Sequence, residues 1–224
     1  MGKQTIFFII VFLAGGILAG GTYFFLHRPL SRSAFLSPLS QNQLPPPTAF
    51  SLENAPRDSL RGQIATMSGE IFWQSRTATE PAKLLTPIIL QQGENLIASD
   101  GGKMVVNFPA DLTISLTPRS QINIIQTLPV NLVFEQPAGT ITYEASQSGT
   151  ISVRSRRLLV NFTDGQVQVN TDSDNHVVTV GVFKGEGKLS YNDRNFTSQV
   201  VNLPAGRIFI FNDDRRTGRI SRLL

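Results

Sequence analysis

From Arg57 onward the chain alternates apolar and polar residues at period two, in short runs closed by Gly, Pro, Asn or Asp. That pattern puts one face of each run into a core and the other outward, which suits strands and excludes a helical body. Leu112–Leu116, Ile122–Ile124, Val167–Val169, Val178–Val182 and Ile208–Phe211 are examples. Turn signals separate such runs at short intervals, among them Asp100-Gly101-Gly102, Ser148-Gly149, Asp164-Gly165 and the stretch from Asp172 to Asn175. About fifteen candidate strands result, and no amphipathic helix of three turns interrupts them. The body is therefore expected to be all-β, either an elongated antiparallel sandwich or short coils stacked as in a solenoid. Its length suffices for a core without disulfides, and with no cysteine in the chain, thiolate metal sites and cysteine catalysis are also excluded.

A different pattern precedes this body. Thr5 to Leu26 carries no charge, and those 22 residues would span ~33 Å as a helix, enough for a hydrocarbon core of ~30 Å. We read residues 1–28 as a transmembrane signal anchor. A cleaved signal peptide would have a shorter apolar stretch and a small-x-small site, whereas this one continues through Phe24-Phe25-Leu26. Gly16 and Gly20 form a small-x-x-x-small pair on that helix. Lys3 on one side and Arg28 with Arg32 on the other nearly balance, so orientation rests on the β-rich body, which reads as extracytoplasmic. Residues 29–56 are rich in Ser, Gln, Asn and Pro, with Pro45-Pro46-Pro47 at the centre, and form a linker. The expected organisation is thus anchor 1–28, linker 29–56, β-domain 57–214 and a basic tail 215–224.

The sequence isoelectric point of 9.8 invites a nucleic-acid reading, but the charge lies in the wrong place. Between Arg57 and Asp214 there are 13 basic and 15 acidic residues, a net of −2, and the tail then adds Arg215, Arg216, Arg219 and Arg222. No nucleic-acid partner is expected. The tail arginines, with Arg216, Arg219 and Arg222 at intervals of three, are candidates for contact with an anionic wall polymer or lipid headgroups. Trp73, the single tryptophan, is a candidate partner anchor as well as a candidate core residue.

Spaced glycines and strand ends over residues 62 to 214 give the body a resemblance to a known family. Ser68–Trp73 looks like an opening Gly-x-hydrophobic strand, and Leu90–Leu96 like a turn with leucine, two residues, glycine and acid. Asp111–Ile122, Leu132–Ile141, Val180–Leu189 and Leu203–Ile208 supply the later strand and turn steps. Together they resemble the FecR-type domain, the envelope domain of iron-siderophore signal transducers. The resemblance implies an all-β fold and a role in binding or signal sensing. With only Met1 to Gln4 ahead of the apolar helix, a cytoplasmic anti-sigma segment is not expected.

Catalytic chemistry finds little support. His27 sits at the membrane edge and His176 follows the Asp172–Asn175 turn, with no nucleophile motif beside either. Lys83, Lys103, Lys184 and Lys188 fall in turns or alternating runs. Asp172-Ser173-Asp174-Asn175 has the alternating acids of a calcium loop but lacks its glycine and distant glutamate, so it reads as a hairpin turn. Asn161 and Asn195 begin glycosylation sequons, relevant only in a glycosylating host. No enzyme activity, metal or cofactor is expected. Three classes of function remain: an envelope-protein scaffold or sensor, including self-association through sheet edges; a surface-polymer binder; and an enzyme with a dispersed site.

Overall fold

The computed structural model describes residues 55–109, 111–146 and 149–223. The expected anchor and all but the last two residues of the linker lie outside the described residues, among which no helix is long and apolar enough to cross a membrane. The described residues are all-β. The first strands are β1 (Gly62–Ser68), β2 (Ile71–Gln74), β3 (Ala82–Lys83), β4 (Ile89–Leu90), β5 (Asn95–Ala98) and β6 (Lys103–Phe108). Then come β7 (Leu112–Leu116), β8 (Gln121–Leu128), β9 (Asn131–Ala145), β10 (Thr150–Ser155) and β11 (Leu158–Phe162). The last are β12 (Gly165–Asp172), β13 (Val177–Asn192), β14 (Ser198–Pro204), β15 (Arg207–Asn212) and β16 (Thr217–Arg222).

The strands form two layers. One has the order β4-β1-β6-β7-β9-β12-β13-β15-β16, and the other β3-β2-β5-β8-β9-β10-β11-β13-β14. Strands β9 and β13 appear in both. The first half of β9 pairs with β8 and β10 and its second half with β7 and β12, while β13 pairs with β12 and β15 before crossing to β11 and β14. These two crossings join the layers into a sheet closed on itself, like a flattened barrel.

Pairing is antiparallel except between β9 and β10, where Asn131–Glu135 runs parallel to Thr150–Arg154. Parallel neighbours need a crossover, and the second half of β9 supplies it by passing through the opposite layer. One coil of solenoid type is therefore set into an otherwise antiparallel sandwich.

Alternation explains why the layers face each other. Leu112, Ile114 and Leu116 of β7 are buried while the residues between them are not, and β10 and β11 behave likewise. Side chains from both layers meet in the core: Phe108 of β6 packs edge-on to Phe134 of β9 at 5.6 Å, and Tyr143 packs on Phe162 of β11 at 6.4 Å. Each such fully buried apolar side chain contributes roughly 1.5–3 kcal/mol.

The crossing of β9 is held by polar atoms. Gln136, fully buried, donates from Nε2 to the carbonyls of Gly139 and Val169, both at 2.8 Å, and accepts from Tyr143 Oη at 3.1 Å. Gly139 has φ of +82°, and a Cβ there would stand 2.4 Å from the Arg119 carbonyl oxygen. Only glycine lets β9 bend so close to the β7–β8 turn.

Candidate functional site

The segment read from sequence as a free basic tail is mostly a strand. Residues 217–222 pair with β15 in continuous antiparallel register, from Asn212 opposite Thr217 to Arg207 opposite Arg222. The boundary between domain and tail at 214/215 is corrected accordingly: the sheet continues to Arg222. Phe209 and Phe211 of β15 point inward, and the backbone of β15 pairs with β13 on one side and β16 on the other. Gly218 makes the pairing possible. It lies opposite Phe211 and under the ring of Phe209, where a Cβ would come within 2.0 Å of Cζ.

Strand β16 pairs on one side only, so its outer backbone groups form an open edge among the described residues. Ile220 shares the inward face with Phe209 yet stays 51% exposed at the end of the sandwich. On the neighbouring edge strand β14, Val200 is 57% exposed. Arg219 and Arg222, an odd number of residues apart, fall on opposite faces of β16, Arg219 opposite Ile210 and Arg222 opposite Arg207. Strand period two, invisible when the segment is read as a tail, separates them.

Arg216 belongs to the turn before β16. Its guanidinium lies 4.7 Å from the centre of the exposed Phe196 ring, and Nη1 donates to the Asp193 carbonyl at 3.4 Å. Arg194 Nε donates to the Arg215 carbonyl at 3.1 Å, so the β13–β14 and β15–β16 turns clamp each other. Asp193 organises the first of these turns. Its carboxylate accepts from the backbone of Thr197 and Asn195 and from Gln199 Nε2, at 2.9, 2.8 and 3.0 Å, and the Thr197 bond foremost holds its pKa below the usual value. A depression of about 380 Å³ opens between the turns, lined by Asp193, Arg194, Asn195, Arg215, Arg216 and Thr217.

The acids of the region are already engaged. Asp213 meets Arg157 at 2.9 Å and Arg156 at 3.9 Å, and Asp214 meets His176 at 2.9 Å. Among the described residues no carboxylate lies within ion-pair distance of Arg194, Arg207, Arg215, Arg219 or Arg222, which leaves this end of the sandwich with a surplus of positive charge. Residues 173–176 form the turn between β12 and β13, directly after Asp172, the last residue of β12. Asp172 caps it by accepting from Asn175 Nδ2 at 2.7 Å and from the backbone of Asp174 and Asn175, bonds that lower its pKa, with the Asn175 side chain first.

Trp73 lies at the other end. On β2 it is in register with Leu96 and Ala82 and is partly buried against the core. The layer containing β2 ends at β14, with β5, β8, β9, β10, β11 and β13 between. The structure thus brings Arg216, Arg219 and Arg222 onto one hairpin and does not join Trp73 to them.

No known family profile matches the sequence, and no curated relative matches it. Two crystal structures of a "putative anti-sigma factor" from Parabacteroides distasonis share the fold over 57% of this chain, with a TM-score of 0.50 and 14% sequence identity. This chain spans 59% of that protein's length. At such identity the likeness concerns the fold alone.

Proposed function

We propose that this chain is a membrane-anchored extracytoplasmic domain of the cell envelope that works as a non-catalytic binding module, sensing or scaffolding a partner protein. The observation that carries the reading is the open edge of β16, with half-exposed Ile220 and unneutralised Arg219 and Arg222. An exposed edge is a template for another strand, whose backbone supplies affinity while side chains on alternate positions supply selectivity. The arginines choose the strand. A second copy of β16 would bring only further cations to this edge, so the partner is an extended acidic segment of another protein, whose carboxylates can lie opposite Arg219 and Arg222. The uncharged segment from Thr5 to Leu26 supports the anchor, and the fold likeness to a protein described as an anti-sigma factor supports sensing.

Crosslinking pulldown of the full chain from intact cells, with a tag whose protease accessibility is recorded, tests this. The expected result is an accessible tag and one envelope protein recovered by the parent but lost with Ile220→Lys and with Arg219→Glu/Arg222→Glu. Recovery of that protein undiminished by both variants, or a protected tag, refutes the reading.

The depression between Arg194, Arg215 and Arg216 favours a second reading, binding of an anionic surface polymer. That binding would collapse between low and high salt, whereas strand pairing with an apolar contact would persist.

A further inference from the structure

On the outer face of the layer that contains Trp73, strand register assembles a polar row that no local motif announces. Gln74 of β2 stands opposite Asn95 of β5, Asn95 opposite Asn123 of β8, Asn123 opposite Glu135 of β9, and Glu135 opposite Arg154 of β10. With strands about 4.8 Å apart, the row is ~19 Å long.

Hydrogen bonds order it. Gln121 Nε2 donates to Asn95 Oδ1 and Asn95 Nδ2 to Gln74 Oε1, both at 3.4 Å, and Gln74 Nε2 donates to the Ala78 carbonyl at 3.0 Å. Farther along, Asn123 Nδ2 donates to Glu135 Oε2 at 3.0 Å and Arg154 Nη2 to Glu135 Oε1 at 2.6 Å. A carboxamide offers two N–H groups and two acceptor lone pairs. Gln74 and Asn95 each spend one donor and one acceptor on the row, which leaves one of each for a ligand.

One end of the row sinks into a cleft of about 430 Å³, lined by Gln74, Arg76, Asn95, Gln121, Asn123 and Ile125 among others. Its volume lies in the ordinary range for small-ligand sites. Two features of the cleft are costly to the fold.

The first is a bulge. The register of β8 on β9 slips between Ile124 and Gln126, which turns Ile125 outward, 46% exposed, into a cleft that also holds the carboxamides of Gln74, Asn95, Gln121 and Asn123. Bulges re-aim side chains and gather beside functional sites. The second is Glu94, only 6% exposed, whose Oε2 accepts from the Gln91 backbone at 2.8 Å. Burial raises its pKa against the opposing pull of that bond, the Trp73 indole and Arg76. Trp73 Nε1 is buried beside this carboxylate.

We propose that the cleft and row bind a neutral oligosaccharide. Ordered carboxamides present donor and acceptor side by side, as paired hydroxyls require. Ile125 supplies an apolar contact for the C–H face of a ring. The row carries no net charge to favour an ionic ligand, because Glu135 and Arg154 pair with each other at 2.6 Å. A line of ~19 Å, four strand spacings, suits several linked rings rather than one. The site is at the other end of the layer from β14 and independent of the β16 edge.

The test is titration of the full chain, held in a detergent without a sugar headgroup, with chitotetraose, cellotetraose and maltotetraose. Fluorescence of Trp73 and calorimetry give the readouts. The expected result is saturable binding of at least one of the three with a change in Trp73 emission. Asn95→Ala and Asn123→Ala should each weaken it about tenfold, with urea midpoints confirming that both variants fold, while Arg219→Ala/Arg222→Ala leaves it unchanged. The proposal is overturned if none of the three binds saturably. It is equally overturned if the two asparagine variants bind like the parent, or if an anionic oligosaccharide binds more tightly in a salt-sensitive way.

Discussion

Replacing Tyr143 by Phe deletes one oxygen from the centre of the sandwich and strands the acceptor it served. Tyr143 and Gln136 are both fully buried, and their 3.1 Å bond is the one the Gln136 Oε1 atom receives among the described residues. A buried acceptor left unpaired costs about 1–3 kcal/mol, so Tyr143→Phe should destabilise the fold by that amount at neutral pH. Urea unfolding followed by the fluorescence of Trp73 measures it, and the midpoint should fall with the slope unchanged. In a Gln136→Leu background the acceptor is already gone, so the same change should cost less, a coupling of about 1 kcal/mol.

The pH dependence supplies a second check. Burial raises the Tyr143 pKa well above its ordinary 10.0. Stability from a group raised in this way is fully present below the unfolded pKa and is lost as pH climbs beyond it. The parent should therefore lose its advantage over Tyr143→Phe progressively above about pH 10. An unchanged midpoint at neutral pH, or a parent–variant difference that stays constant into alkali, would refute the network.

Other outcomes follow from the same geometry. Gly139→Ala should cost about 2–4 kcal/mol, combining a left-handed φ with backbone contact, while Gly206→Ala, at φ +78° in open space, should cost only about 1–2 kcal/mol; equal effects in urea unfolding would contradict the crossing as described. Glu94→Gln should become progressively more stable relative to the parent from pH 4 to 7. The raised carboxyl is stabilising below its unfolded value of 4.5 and loses that contribution as pH rises, so a difference independent of pH would sink this reading. Gly218→Ala should lift β16 from the Phe209 ring at about 1–3 kcal/mol and speed amide exchange in 217–222, and unaltered protection there would mean that the ring yields instead.

The all-β body and the residues that face its core could be read from period two alone. Leu112, Ile114 and Leu116 are buried as the alternation requires, and the turn expected at Asp172–Asn175 is found one position on, at 173–176. Burial parity is local, set by the pleat of one strand. Pairing is not local, and there the sequence was silent. The parallel step of β9 on β10 and the passage of β9 and β13 between layers depend on contacts made across the whole fold, as at Gly139 against Arg119.

The arginines of the C-terminal segment were visible as residues, but their separation onto two faces of β16 followed only once Phe209 and Phe211 fixed that segment as a strand. The amide row shows the division most clearly. Gln74, Asn95, Asn123, Glu135 and Arg154 are ordinary outward residues, each at an expected polar position of its own strand. Register, set by buried neighbours such as Leu96, Ile122, Phe134 and Val153, aligns them into one line. The sequence thus determined which side of each strand is wet, because that is a property of neighbouring residues. Tertiary structure decided which wet residues meet, because a slip of one position in any pairing would scatter them.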